Sequence, residues 1–213
     1  MKGLKFGNLH SYEDFSLYLK SKEIGSAEVK TEYVEVLGGH GKLDFTEVFG
    51  EPKYSNRLLT FVFSTIETGT DWASTYTKIL NELHGLKKNI VLDDDPDYYY
   101  VGRITVSKYA SSKRIGTITI ECDCEPFKYK VKKTVVAKAI NGSATVDFYN
   151  ARKSVAPSFT TSAPITIMHN GNTYAIEGEG TFNDIGIVFT KGINTLTFTG
   201  TATVTVEYQE GDL

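Results

Sequence analysis

The chain has 213 residues and a mass of 23.6 kDa, enough for one large domain or two of about 100 residues each. With 40% hydrophobic and 23% charged residues and a mean hydropathy of -0.22, it reads as a folded globule, which excludes disorder as a description of the whole chain. The formal charge of -3 supplies no basic field for phosphates, no apolar run approaches the roughly 18 residues of a membrane span, and the opening MKGLKFGNLHSYEDF lacks a signal-peptide core. The expectation is a soluble, unprocessed chain that binds neither membrane nor sequence-specific nucleic acid.

Thirteen tyrosines, twelve phenylalanines and many threonines favour pleated, half-buried surfaces, so most of the chain is expected to be β. The first clear strand runs from Leu58 to Ile66. Between Asp71 and His84 the period changes: Trp72, Tyr76, Ile79, Leu80 and Leu83 recur at three and four residue intervals. Thr70 is a candidate N-cap and Gly85 a left-handed stop, which predicts one amphipathic helix over about 71–84. Ile90 to Leu92, an acidic turn over Asp93, Asp94, Asp95, Pro96 and Asp97, and a strand from Tyr98 to Val106 follow. From Ile118 to Glu125 apolar and polar residues alternate strictly, the period of a half-buried strand. That period places Cys122 and Cys124 on the core face as thiols, since two cysteines one residue apart would close a strained ring. This first half is expected to be an α+β domain over residues 1–130.

A boundary is expected after Pro126-Phe127, where lysines lead into Thr-rich, helix-free sequence. In residues 131–213, Ile165 to Met168 and Thr173 to Ile176 flank Asn170-Gly171, a strong hairpin signal. Lys191 to Asn194 reads as the next turn. Threonines at 195, 197, 199, 201, 203 and 205 then alternate with Leu196, Phe198, Gly200, Ala202, Val204 and Val206. Such strict alternation predicts an antiparallel sheet wetted on one side, bent or closely approached at Gly200 and Ala202.

Chemistry is harder to find. Gly38-Gly39-His40-Gly41-Lys42 resembles a phosphate loop only in part: Leu43 follows where Ser or Thr belongs, so a turn between strands is preferred. The acidic turn departs from a calcium loop and reads as a solvated hairpin tip. His10, His40, His84 and His169 are dispersed and read as surface or turn residues. The acidic neighbours Glu121, Asp123 and Glu125 would raise the thiol pKa values and argue against redox use. Lys128, Lys130 and Lys132 could meet an acidic partner, with a lysine-protected edge as the plainer reading. Trp72 is expected in the core. Catalytic residues, metal ligands and a cofactor are all expected to be absent, and the chain is not expected to be an enzyme.

Several segments, taken in order, resemble the distal tail proteins of long, non-contractile-tailed bacteriophages and prophages of Gram-positive bacteria. They are Ser11-Tyr12-Glu13-Asp14, the glycine turn ending in Gly41-Lys42-Leu43-Asp44, Tyr54-Ser55-Asn56-Arg57, and the helix closing on Leu83-His84-Gly85. Asp94 to Arg103, Cys124-Glu125-Pro126-Phe127-Lys128-Tyr129, Gly192-Ile193-Asn194 and Val204 to Tyr208 complete the set. Asn150-Ala151-Arg152-Lys153-Ser154 departs from the family pattern, and the chain has no room for inserted carbohydrate-binding modules. The resemblance implies a mainly β protein whose N-terminal domain closes a homo-hexameric ring and whose C-terminal domain is a galectin-like antiparallel β-sandwich. It also implies tail-tube and tail-tip or baseplate proteins as partners, passage of DNA, assembly in the host cytoplasm and a place in the virion tail. The alternative is a carbohydrate-binding module for host cell-wall polysaccharide, suggested by the Thr-rich second half and its tyrosines.

Overall fold

The computed structural model describes residues 3–48, 50–65, 72–111 and 115–213. The chain is mainly β and divides into two compact units, Met1–Lys128 with Leu213, and Tyr129–Asp212. No helix among the described residues is long and apolar enough to cross a membrane.

The first unit contains β1 (Leu4–Phe6), β2 (Leu9–His10), β3 (Tyr18–Ile24), β4 (Tyr33–Glu35), β5 (Lys42–Asp44) and β6 (Arg57–Thr65). Helix α1 (Trp72–Leu83), β7 (Lys87–Leu92), β8 (Asp95–Ser111) and β9 (Gly116–Lys130) follow. Its main sheet has the order β2-β1-β7-β8-β9-β6-β3, while β4 and β5 pair only with each other. Inward and outward residues alternate along β6 and β9, so Leu59, Phe61 and Phe63 meet Ile118, Ile120, Cys122 and Cys124 in one core. Phe6 lies edge-on to Phe61 at 6.4 Å, an aromatic arrangement favoured by ring quadrupoles.

The helix expected over about 71–84 occupies Trp72–Leu83; Thr70 and Asp71 lie outside the described residues. It packs on β8, burying Ile79 and Leu83 and stacking Tyr76 on Tyr109 at 4.7 Å. Trp72 differs from its expected core position. It is half-buried at the rim, tilted against Tyr109 at 6.1 Å and lying where any side chain at Gly116 would intrude. The acidic turn is also tighter than expected. Leu92 pairs with Asp95, so the turn is Asp93-Asp94 and the strand begins at Asp95.

The second unit contains β10 (Thr134–Asn150), β11 (Ser158–Thr161), β12 (Ile165–His169), β13 (Asn172–Ile176), β14 (Gly180–Phe182) and β15 (Gly192–Tyr208). Strand β15 is its spine. One edge pairs with β10 along all 17 residues; the other pairs first with β12, through Gly200, and then with β11, from Val204 onward. The switch falls beside the Gly142–Gly200 pair, whose φ values of 87° and 145° suit glycine and no bulkier residue. The bend expected at Gly200 is therefore the point at which the sheet curls round its core of Phe148, Phe159, Phe189, Leu196, Phe198 and Val204. The Asn170-Gly171 turn joins β12 to β13 with φ of 49° and 77°, the left-handed pair that a tight hairpin requires. The turn expected at Lys191 to Asn194 sits slightly earlier, because Gly192 already belongs to β15.

Candidate interaction surface

The carboxylates of the acidic turn do not converge. Asp93 Oδ2 accepts the Gly3 amide at 2.6 Å, Asp94 accepts Lys22 Nζ at 2.5 Å, and Asp95 accepts Lys128 Nζ at 2.7 Å. The three acids hold three separate segments, the residue preceding β1, strand β3 and strand β9, so the tip is tied into the first unit rather than simply solvated. Among the described residues no three His, Cys, Asp or Glu side chains are grouped to hold a metal. His10 and His169 stand beside turns, as the surface-or-turn reading allows, but they are buried rather than at the surface. His10 Nδ1 accepts the amides of Tyr12 and Glu13, which makes Nε2 the protonated nitrogen facing Asp93 at 3.2 Å. His84 Nδ1 accepts the Val106 amide at 3.1 Å, and His40 is exposed. His10, His84 and His169 thus tie turns and element ends.

Cys122 and Cys124 are buried free thiols. Burial pushes both upward, Cys122 strongly and Cys124 to about 12, with the Asp123 carboxylate adding to the second shift and the Arg57 charge opposing it. A thiol held protonated is a poor nucleophile, so the pair acts as packing. Of the three lysines expected to share a face, Lys128 pairs with Asp95 at 2.7 Å and Lys130 with Glu210 at 2.6 Å, while Lys132 is exposed.

Segments singled out by resemblance hold turns. Ser11 Oγ accepts the Leu4 amide at 3.2 Å and Asp14 accepts the His10 amide at 2.6 Å. Asn194 closes the turn before β15, accepting the Thr190 amide and donating to the Thr190 carbonyl, both at 2.9 Å.

One region behaves differently from the rest of the first unit. Residues 25–56 leave the sheet as an arm. At its root the Gly25 amide donates to the Leu58 carbonyl at 2.9 Å; farther out, the Ser55 amide donates to Glu28, the Lys30 amide to Lys53 and the Phe45 amide to Glu32, each at 2.8 Å. Near the tip Val34 pairs with Leu43, and the glycine cluster closes the hairpin as the sequence predicts. The backbone is thus satisfied internally while the apolar side chains are not. Val29, Tyr33, Val34, Val36, Leu43 and Val48 are exposed, Leu37 is 104% exposed, and none belongs to either core. Contiguous exposed apolar surface of this kind marks a place of association. The arm is also acidic. Residues 25–56 hold six acids against three lysines, so the chain's whole formal charge of -3 resides there and the remainder is balanced.

In the second unit a shallow cleft of about 300 Å³ is lined by Pro164, Ile165, Thr166, Ala175, Ile176, Glu177 and Thr199. It offers one carboxylate and no aromatic ring on which a sugar could stack, although Tyr149 is exposed elsewhere in the unit.

No protein-family model matches the sequence, and no curated protein matches it. Among solved structures the chain is similar to SPP1 Dit, described as a paradigm of the hub adsorption apparatus in phages that infect Gram-positive bacteria. The two share 14% identity, and the match covers 100% of each chain with a TM-score of 0.70. The fold is therefore Dit-like from end to end.

Proposed function

We propose that this protein is a structural component of a phage tail tip, a hub that closes a homo-hexameric ring, joins the tail tube to tail-tip or baseplate proteins and lets DNA pass. The observation that carries this reading is the ordered, apolar and solvent-exposed arm of residues 25–56 on a fold shared over its full length with a phage hub protein. Residues 1–130 form the ring, and residues 131–213 form a separate β-sandwich. Such a protein works by presenting complementary surfaces whose rotation closes, which calls for no reaction centre. Its place is the virion tail, with assembly in the host cytoplasm.

Negative-stain imaging of the purified chain, alone and mixed with a phage tail-tube protein, tests the reading. Closed rings of uniform diameter with an open lumen, co-purifying with the tube protein, are expected. Isolated protomers that capture no tail component under either condition would refute it.

A further inference from the structure

On β6 the inward positions are Arg57, Leu59, Phe61, Phe63 and Thr65, so an arginine shares the core face with three large apolar side chains. Arg57 is only 6% exposed. Its Nε is enclosed with no acceptor, and among the described residues it has neither a hydrogen bond nor an ion pair. The guanidinium has the Tyr100 ring at 5.8 Å and faces the strand position of Cys124, a neutral thiol. Among the described residues, the other buried basic side chain of the unit, His10, faces the Asp93 carboxylate at 3.2 Å, whereas Arg57 faces no carboxylate. A lysine could relieve the strain by losing its proton, but arginine stays charged and presents five donors in a fixed fork. With Nε closed off, an anion can reach only the two terminal nitrogens, the geometry that suits a carboxylate gripped by two parallel bonds.

Arg57 also sits at the root of the arm. The Gly25–Leu58 hydrogen bond is one residue away, and the Val29–Tyr54 bridge three. The arm itself carries the complementary charge. Glu28, Glu32 and Glu47 are exposed, and their carboxylates have no partner among the described residues. They belong to the segment that holds the full net charge of -3, while the rest of the chain, Arg57 included, is balanced. An exposed acidic, apolar arm and a half-closed cation on one chain are complementary in charge, as the two sides of a head-to-tail contact must be.

We infer that Arg57 is the receptor for a carboxylate supplied by the arm of a second copy, which lays its apolar residues along the neighbouring arm root and brings one of Glu28, Glu32 or Glu47 to the guanidinium. This rests on the proposed self-association. It adds the residue pair that sets the register of each contact.

Sedimentation of three variants tests it: Arg57→Met, the triple variant Glu28→Gln/Glu32→Gln/Glu47→Gln, and their combination, each with a urea midpoint measured on the dilute protomer. Arg57→Met should weaken association roughly thirtyfold, since truncating one partner of a buried pair strands the other. It should also leave the protomer's midpoint unchanged or raised, because methionine fills the slot without a charge. The triple variant alters only exposed side chains, so it reports even where Arg57→Met does not fold; it should weaken association to a similar degree, and the combination should add little. The inference is overturned if the wild type assembles and the triple variant assembles equally well. It is also overturned if Arg57→Met lowers the protomer's midpoint while assembly keeps its affinity, the signature of a merely structural arginine. A wild type that remains a protomer at every concentration overturns this inference; the proposed ring falls with it only if the mixture with the tail-tube protein also yields no ring, so the two failures are distinct.

Discussion

Two antiparallel ribbons in this protein have opposite fates. The β10–β15 ribbon of the second unit pairs along 17 residues, and the sheet that β11 to β14 extend from it curls over one face of β15, so Leu196, Phe198, Val204 and Val206 are removed from water. The β4–β5 ribbon of the arm pairs three residues, carries comparable apolar side chains and buries neither face. Their local chemistry is alike. What differs is whether the same chain supplies a second layer, and the ribbon that lacks one is the candidate for intermolecular contact.

The largest effect is expected in the covered ribbon. Phe198→Ala should lower unfolding free energy by about 3–5 kcal/mol in urea titration, because a fully enclosed ring leaves a cavity as well as losing its transfer energy. A loss under 1 kcal/mol would mean that the curled sheet is not packed as described.

A pH-dependent effect separates the core of the first unit from its arm. Cys122 and Cys124 hold their protons in the folded state well past the ordinary thiol value of 9.0, Cys124 to about 12. The folded protein then binds more protons than the unfolded one at alkaline pH. Stability from this source is complete below pH 9 and is lost as pH climbs toward 12, by up to about 1.4 kcal/mol per thiol per pH unit. Urea midpoints from pH 8 to 11 should fall with this slope, and a Cys122→Ala/Cys124→Ala variant should show a flatter one. Equal slopes would show that the thiols are not sequestered.

The smallest effect on protomer stability belongs to the arm, where Leu37→Asp combined with Val34→Asp should change the unfolding midpoint of the dilute protein by no more than about 0.5 kcal/mol.

Much of the scaffold is legible in the sequence, for reasons that can be named. Period-two alternation marks β9 and β15, Asn170-Gly171 marks a hairpin, and the three and four residue spacing from Trp72 to Leu83 marks the helix, since each pattern is set by local geometry. Strand β10 is harder to see, because its burial alternates only weakly along much of its length. The arm is invisible for a different reason. Tyr33, Val34, Val36 and Leu37 read like an ordinary core strand, and no local pattern records that the rest of the chain fails to cover them. Arg57 is similar: a charged residue at the start of a strand looks exposed, and only its inward register with Leu59 and Phe61 shows otherwise. The buried His10 was likewise hidden, since its partner Asp93 lies 83 residues away.

The central claim is that the exposed arm drives association without contributing to the protomer's own fold. Sedimentation equilibrium of the wild type beside the Leu37→Asp/Val34→Asp variant tests it most directly. The account predicts a single closed assembly for the wild type that grows in with concentration, and a variant that stays at the 23.6 kDa protomer mass with an unchanged unfolding curve. Identical masses for the two proteins at every concentration would contradict it.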